Sequence, residues 1–210
     1  MRRSIIALTV LSVIGILNWV IFPIPESRLH RPSSSFVYSR EGRLLNCFTS
    51  SDSFWRKPVS LDEISPLLIN CVVACEDKWF YYHPGFNPVS LTSAAIDNIT
   101  AGKFVRGGST ITMQIARMME PKSRTIPNKI IEILRAMQLE LAYSKKELLE
   151  IYFNLVPYGG NIEGVGAAAY IYFDKAPAKL TLSEAAILTA IPSSPTDFRP
   201  DRETAKCATR

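Results

Sequence analysis

The chain has 210 residues, 47% of them hydrophobic and 20% charged, and a net charge of +5. That length accommodates one domain with a proper core and hardly two. The positive balance suits anionic lipid or a phosphate-bearing substrate, and the lack of any basic run or aromatic-basic repeat argues against nucleic acid as a partner.

After the N-terminal residues 1–3, "SIIALTVLSVIGILNWVIF" (residues 4–22) carries no charge. At about 1.5 Å per residue a helix there spans a bilayer core of roughly 30 Å. Arg2 and Arg3 precede it, so the N-terminus is expected in the cytoplasm and everything after Phe22 on the other side. The run is long for a signal peptide, and "PIPES" lacks the small-residue cleavage pattern, so the segment reads as an uncleaved transmembrane anchor. Residues 23–34, "PIPESRLHRPSS", read as a juxtamembrane linker.

"SFVYSREGRLLNCF" predicts two short strands about a Glu-Gly turn. From residue 61 the pattern is almost wholly helical. "LDEISPLLINCVVAC" sets Leu67, Leu68, Cys71, Val72 and Cys75 on one stripe. "PVSLTSAAIDNITAG" predicts a helix closed by Gly102, and "STITMQIARMM" another that opens at Ser109 or Thr110 and stops before Pro121. "PNKIIEILRAMQLELAY" begins with Pro127 in the first turn. Ser144 with Glu147, and Thr181 with Glu184, form capping boxes for "KKELLEIYFNL" and "LSEAAILTAI", with "EGVGAAAYIYF" between them. The result is a mainly α domain with a small N-terminal β hairpin. A polar tail closes the chain.

Four cysteines (Cys47, Cys71, Cys75, Cys207) are compatible with disulfides in an oxidising compartment but show no zinc-ligand or CxxC spacing. On their apolar stripe Cys71 and Cys75 read as buried thiols.

"CEDKWFYYHPGFNP" (residues 75–88) puts Glu76 and Asp77 at a helix end, where the macrodipole disfavours carboxylates by about 0.3–1 kcal/mol each. The aromatics Trp79, Phe80, Tyr81 and Tyr82 are expected to wall them off and raise a carboxyl pKa towards the range useful for proton transfer. An ion pair with Lys78 or an arginine is the structural alternative. The chain has only His30 and His83, which excludes a His-rich metal site; His83, before Pro-Gly, reads as a turn residue bonded to backbone. "KFVRGGSTITMQ" joins cations to a Gly-Gly turn and a helix start, which makes an anion site or an ordinary cap. It does not match a nucleotide P-loop. Lys129, Glu132, Ala136 and Glu140 share one helical face, and Ile130, Leu134, Met137 and Leu141 share another. A polar stripe of this kind faces either a groove or solvent. Two carboxylates and a phosphate-binding turn on a membrane-anchored helical domain fit glycosyl chemistry on a lipid-linked phosphate substrate.

Set in order, "EDKWFYYHPG", "GGSTITMQIAR", "KIIEILRAMQLE", "KKELLEIYFNLVPYGGNIEGV" and "SEAAILTAIPSSP" resemble the family 51 glycosyltransferase domain of bacterial peptidoglycan polymerases. The "TMQ" variant and the "REGRLL…WRKPVSLDEISP" lead-in are most similar to its penicillin-binding protein 1C branch. The resemblance implies a lysozyme-like glycosyltransferase fold over residues 35–200, partly dipping into the membrane, with 201–210 as a C-terminal tail. It implies single-pass residence in the cell inner membrane, with the catalytic domain on the extracytoplasmic side. The substrates it implies are lipid II and the growing lipid-linked glycan chain, with other cell-wall synthesis proteins as candidate partners. Glu76 matches the general base, and Glu132 the glutamate that assists the leaving pyrophosphate. Asp77, Ser109, Thr110, Gln114, Arg117 and Lys129 match substrate-binding positions. No cofactor is obligatory, and the family admits a divalent cation (Mg2+ or Mn2+).

The sequence departs from the family pattern at Asn87 (often Asp), Asn128 (often Arg), Met113 (often Gln) and Arg117 (often Lys). It also contains no SxxK or KTG, the motifs of the transpeptidase domain that usually follows. The chain is therefore expected to be either a single-function polymerase or a truncated product of a longer gene. The alternatives to transfer are an inactive remnant acting as a binding module and, since it shares two carboxylates and the fold type, a lysozyme-like glycan hydrolase.

Overall fold

The computed structural model describes residues 23–41, 44–103 and 107–194. The expected anchor (4–22), the tail (201–210) and Arg106 of the cationic turn lie outside the described residues. Among the described residues, no helix is long and apolar enough to cross a membrane.

Strands β1 (Ser35–Tyr38) and β2 (Leu44–Phe48) form the expected antiparallel hairpin, paired Ser35 to Phe48 and Val37 to Asn46. It is fastened to the body by Lys57, whose ammonium lies 3.9 Å from the Tyr170 ring centroid and 5.6 and 5.4 Å from those of Phe36 and Tyr38. Close approach makes this possible: a Cβ built on Gly166 falls 2.0 Å from the Lys57 carbonyl oxygen. Gly166→Ala is therefore expected to dislodge the hairpin and cost about 3 kcal/mol or more, as overpacking into rigid backbone does; thermal unfolding measures it.

Seven helices follow among the described residues: α1 (Pro66–Glu76), α2 (Pro88–Ala101), α3 (Ile111–Met119), α4 (Ile126–Ala142), α5 (Lys145–Leu155), α6 (Val165–Phe173) and α7 (Leu182–Ala190). Their ends obey the local signals. Asn87 caps α2 by accepting from Val89 and Ser90 N–H, and Gly102 closes it in the left-handed region at φ 62°. Thr125 caps α4, which carries proline in its first turn. Both capping boxes are formed. Residues 61–63, by contrast, make a separate 3-10 turn before α1.

Helix α3 lies against α4 and α5, and α1 against α7. Leu68 and Val72 of α1, Ile111 and Ile115 of α3, Leu148, Tyr152 and Phe153 of α5, and Leu188 of α7 form one buried cluster. Each such side chain contributes roughly 1.5–3 kcal/mol through removal from water. The α1 stripe is only half realised: Leu67 is exposed, Cys71 half-buried and Cys75 exposed, so Cys75 is not the buried thiol expected. The helix covers its neighbours with a narrower face than the apolar pattern marks out.

Helix α7 provides a pH prediction. A hydrogen bond from Lys175, then one from Thr181 N–H, holds the Glu184 carboxyl at about 2 instead of 4.5. A depressed carboxylate contributes stability above its unfolded pKa and loses it as pH falls through the folded one. Glu184→Gln is therefore expected to lower Tm at neutral pH, with the gap closing as pH falls from 4.5 towards about 2.

Candidate active site

Asp77 organises the region around the paired carboxylates. It ends α1 as its C-cap and is buried. One carboxylate oxygen accepts from Ile111 N–H (3.0 Å), the first residue of α3. Both oxygens lie 2.9 Å from His83 Nε2, and Gly85 N–H donates to His83 Nδ1. With Nδ1 accepting, the ring proton sits on Nε2 and points at Asp77. The carboxylate at the unfavourable end of one helix is thus at the favourable N-terminus of another. Its partner is His83, neither Lys78 nor an arginine, and His83 is the buried turn residue expected, with an added bond to Asp77.

The turn after His83 locks α3 to α4. Thr110 caps α3 by accepting from Met113 N–H (3.1 Å) and donates to Gly85 O (2.6 Å). Gly85 has φ +97°, and a Cβ there falls 2.7 Å from the Ala136 backbone of α4. Behind it, Glu140 accepts from Thr112 (2.6 Å) and pairs with Lys145 (2.7 Å), whose ammonium also lies over Phe80. The polar stripe of α4 therefore faces inward, and its small residue is where the turn packs. The apolar stripe faces out: Ile130, Leu134, Met137 and Leu141 are all exposed, Leu141 by 80%.

Glu76, one residue before this knot, is half-buried and accepts from Gln114 Nε2 at 2.7 Å. The aromatic wall expected around it is not built: Phe80 is buried, but Trp79, Tyr81 and Tyr82 are exposed. Tyr152 of α5 lies near Glu76 instead, and sequence reasoning missed it. Burial, and after it the Glu76 carboxylate, push the Tyr152 phenol well above its ordinary range, while Arg117 acts in the opposite direction. Arg117, on the last turn of α3, is half-buried and makes no ion pair with any described residue.

Lys129, in the first turn of α4, donates to Ser109 Oγ (2.5 Å) and Glu132 Oε2 (2.9 Å). Helix α3 and its leading turn therefore fasten both candidate groups, Glu76 through Gln114 and Lys129–Glu132 through Ser109. Thr110 and Asp77 both bond within the scaffold, and Thr110, not Ser109, is the cap. Of the departures from the family pattern, Asn87 serves as a helix cap, and Asn128 donates to Ser123 O (2.9 Å) and Oγ (3.1 Å), tying the α3–α4 connection. Met113 is fully buried.

The donor set does not fit a metal held by the protein alone. Glu132 offers one carboxylate already bonded to Lys129, and among the described residues no three His, Cys, Asp or Glu side chains gather as a metal group.

Known proteins are similar to this chain in the same region. The transglycosylase family model matches residues 41–210. Penicillin-binding protein 1C of Escherichia coli (strain K12) is 42% identical over 183 residues, 87% of this chain and 23% of its own length. Penicillin-binding protein 1A of Aquifex aeolicus is 41% identical over 170 residues, 80% of this chain and 23% of its own. Penicillin-binding protein 1F of Bacillus subtilis is 36% identical over 195 residues, 90% and 27% respectively. The chain thus spans about a quarter of the length of these relatives. With most of its residues under the family model and relatives of this identity, the chain belongs to the transglycosylase family.

Proposed function

We propose that the protein is a peptidoglycan glycosyltransferase that polymerises lipid II into β-1,4-linked glycan by inverting transfer. The observation that carries this reading is the pair of groups fastened to one helix start, a carboxylate in reach of solvent at Glu76 and the Lys129 ammonium held by Ser109 and Glu132. Glu76 takes the proton of the acceptor sugar's 4-hydroxyl. That oxygen forms the new bond to the donor's anomeric carbon, and the bond from that carbon to the pyrophosphate oxygen breaks. The electron pair leaves with the pyrophosphate, whose growing charge Lys129 and Arg117 stabilise. Arg117, with no described carboxylate to neutralise it, is suited to an anionic ligand. Glu132 orients Lys129, Ser109 is its hydroxyl neighbour, and Gln114 positions Glu76. Asp77 and Thr110 support the site from behind without touching substrate. No step is routed through a metal.

The outward apolar stripe of α4, with Ile126, and the exposed Val89, Ile96 and Ile99 of α2, support a membrane-dipping face. Among the described side chains of α2 only Ala94 is buried, which a helix resting on lipid can tolerate. With residues 4–22 as anchor, the domain would lie against the extracytoplasmic leaflet of the inner membrane, where a lipid-linked substrate resides.

Two measurements test the reading. Incubation with preformed glycan separates transfer from hydrolysis: no release of fragments is expected, and release would favour a lysozyme-like hydrolase. Lys129→Ala is expected to lower polymerisation by roughly 10²-fold through loss of charge stabilisation on the leaving group. An unchanged rate would remove Lys129 from that role.

A further inference from the structure

The segment between the expected anchor and the hairpin is bonded to the body at several points, two of them on the helices that carry the site. Pro23 O accepts from Arg135 of α4 at 3.2 Å. Ile24 packs on the core and Leu29 is buried. Arg31 forks: one nitrogen pairs with the buried Glu163 carboxylate, and the other donates to the carbonyl of Met118 (2.6 Å) in the last turn of α3. Glu163 is shared with Arg56, which also pairs with Asp52 at 2.7 Å. Ser34 N–H donates to Arg56 O, and Arg56 N–H to Ser34 Oγ.

The Arg31 bond meets α3 at its carbonyl end, where a cation is favoured by the helix dipole and by an otherwise unpaired acceptor. The same helix holds Gln114 against Glu76 and carries Arg117. Its N-terminus is fixed by Asp77 and Thr110, and its C-terminus by Arg31 on Met118 and by Arg135 on the C-cap Glu120. The guanidinium gives each acceptor its own nitrogen, one for the Glu163 carboxylate and one for the Met118 carbonyl, where an ammonium offers a single nitrogen to both.

We infer that residues 23–34 form a rigid strap and that Arg31 is a positioning residue, which sets the axial placement of α3 and with it the Gln114–Glu76 pair. The inference rests on the transferase reading for its kinetic consequence and on geometry alone for its structural one. Arg31→Ala leaves Glu163 paired with Arg56 and Glu120, the C-cap of α3, paired with Arg135, so the fold persists while the C-terminus of α3 loses its tie to the strap. Misplacement of the reacting groups then lowers kcat by roughly tenfold with KM little changed. Arg31→Lys, which keeps the charge but replaces two nitrogens by one, falls between.

The experiment uses the full chain in lipid vesicles, with hydrogen exchange and lipid II polymerisation measured on the native protein, Arg31→Ala and Arg31→Lys. Faster exchange confined to 111–119 and 23–34 in Arg31→Ala, with α7 unchanged, supports the strap. So does a kcat loss that Arg31→Lys partly rescues. Exchange in α3 that is unchanged, or faster uniformly through all helices, overturns the inference whatever the activity. Absence of polymerisation by the native protein, with the local exchange change present, overturns the transferase reading and leaves the strap standing.

Discussion

Glu76→Gln is expected to lower glycan polymerisation by roughly 10²–10⁴-fold, the contribution of a positioned general base, with no loss of folding. The glutamine keeps a carbonyl oxygen where Glu76 Oε2 accepts from Gln114 Nε2, and the side chain is only half-buried. The buried polar knot next to it, from Asp77 to Lys145, is untouched by the change. Tm and the circular dichroism spectrum should match those of the native protein while product formation collapses. Full polymerisation by this folded variant would remove Glu76 from the base role.

Asp77→Ala is expected to act on the fold. It removes the acceptor of Ile111 N–H and the partner of His83 Nε2 together, in a site closed to water. Breaking such a buried, charge-assisted set costs about 3 kcal/mol, a Tm drop on the order of 10 °C for a chain of this size. Asp77→Asn retains one acceptor oxygen and should lose less. Activity falls in both variants as α3 loosens at its start, and the loss should track Tm. If Asp77→Ala keeps its Tm and loses activity alone, Asp77 contacts substrate, as the family resemblance implies.

The parts of the fold that were legible in the sequence are those decided within a few residues. The capping boxes at Ser144 and Thr181, the glycine closing α2 and the proline opening α4 each settle an element end by satisfying exposed backbone groups locally. The hairpin was readable for the same reason. The site is different, because its bonds join distant segments: Asp77 to Ile111 across 34 residues, Glu76 to Gln114 across 38 and Arg31 to Glu163 across 132. Arg31 sits in a stretch whose composition reads as linker, and no local pattern marks it. Glu163 lies inside a quoted motif without any spacing signal of its own.

Periodicity also separated the two faces of α4 correctly without saying which one points inward. Burying the polar face, with Ala136 admitting the Gly85 turn, reverses the usual arrangement of a soluble helix. The same ambiguity explains the aromatics. Four in a row after Glu76 suggest a shielding wall, yet only Phe80 packs inward, and Trp79, Tyr81 and Tyr82 are exposed.

Transfer from a lipid-linked donor is measured directly by incubating the full chain in vesicles with purified lipid II and following both glycan and released lipid. The expected result is β-1,4-linked polymer with one undecaprenyl pyrophosphate released for each disaccharide added. Lipid II recovered intact, or pyrophosphate released without polymer, would contradict it.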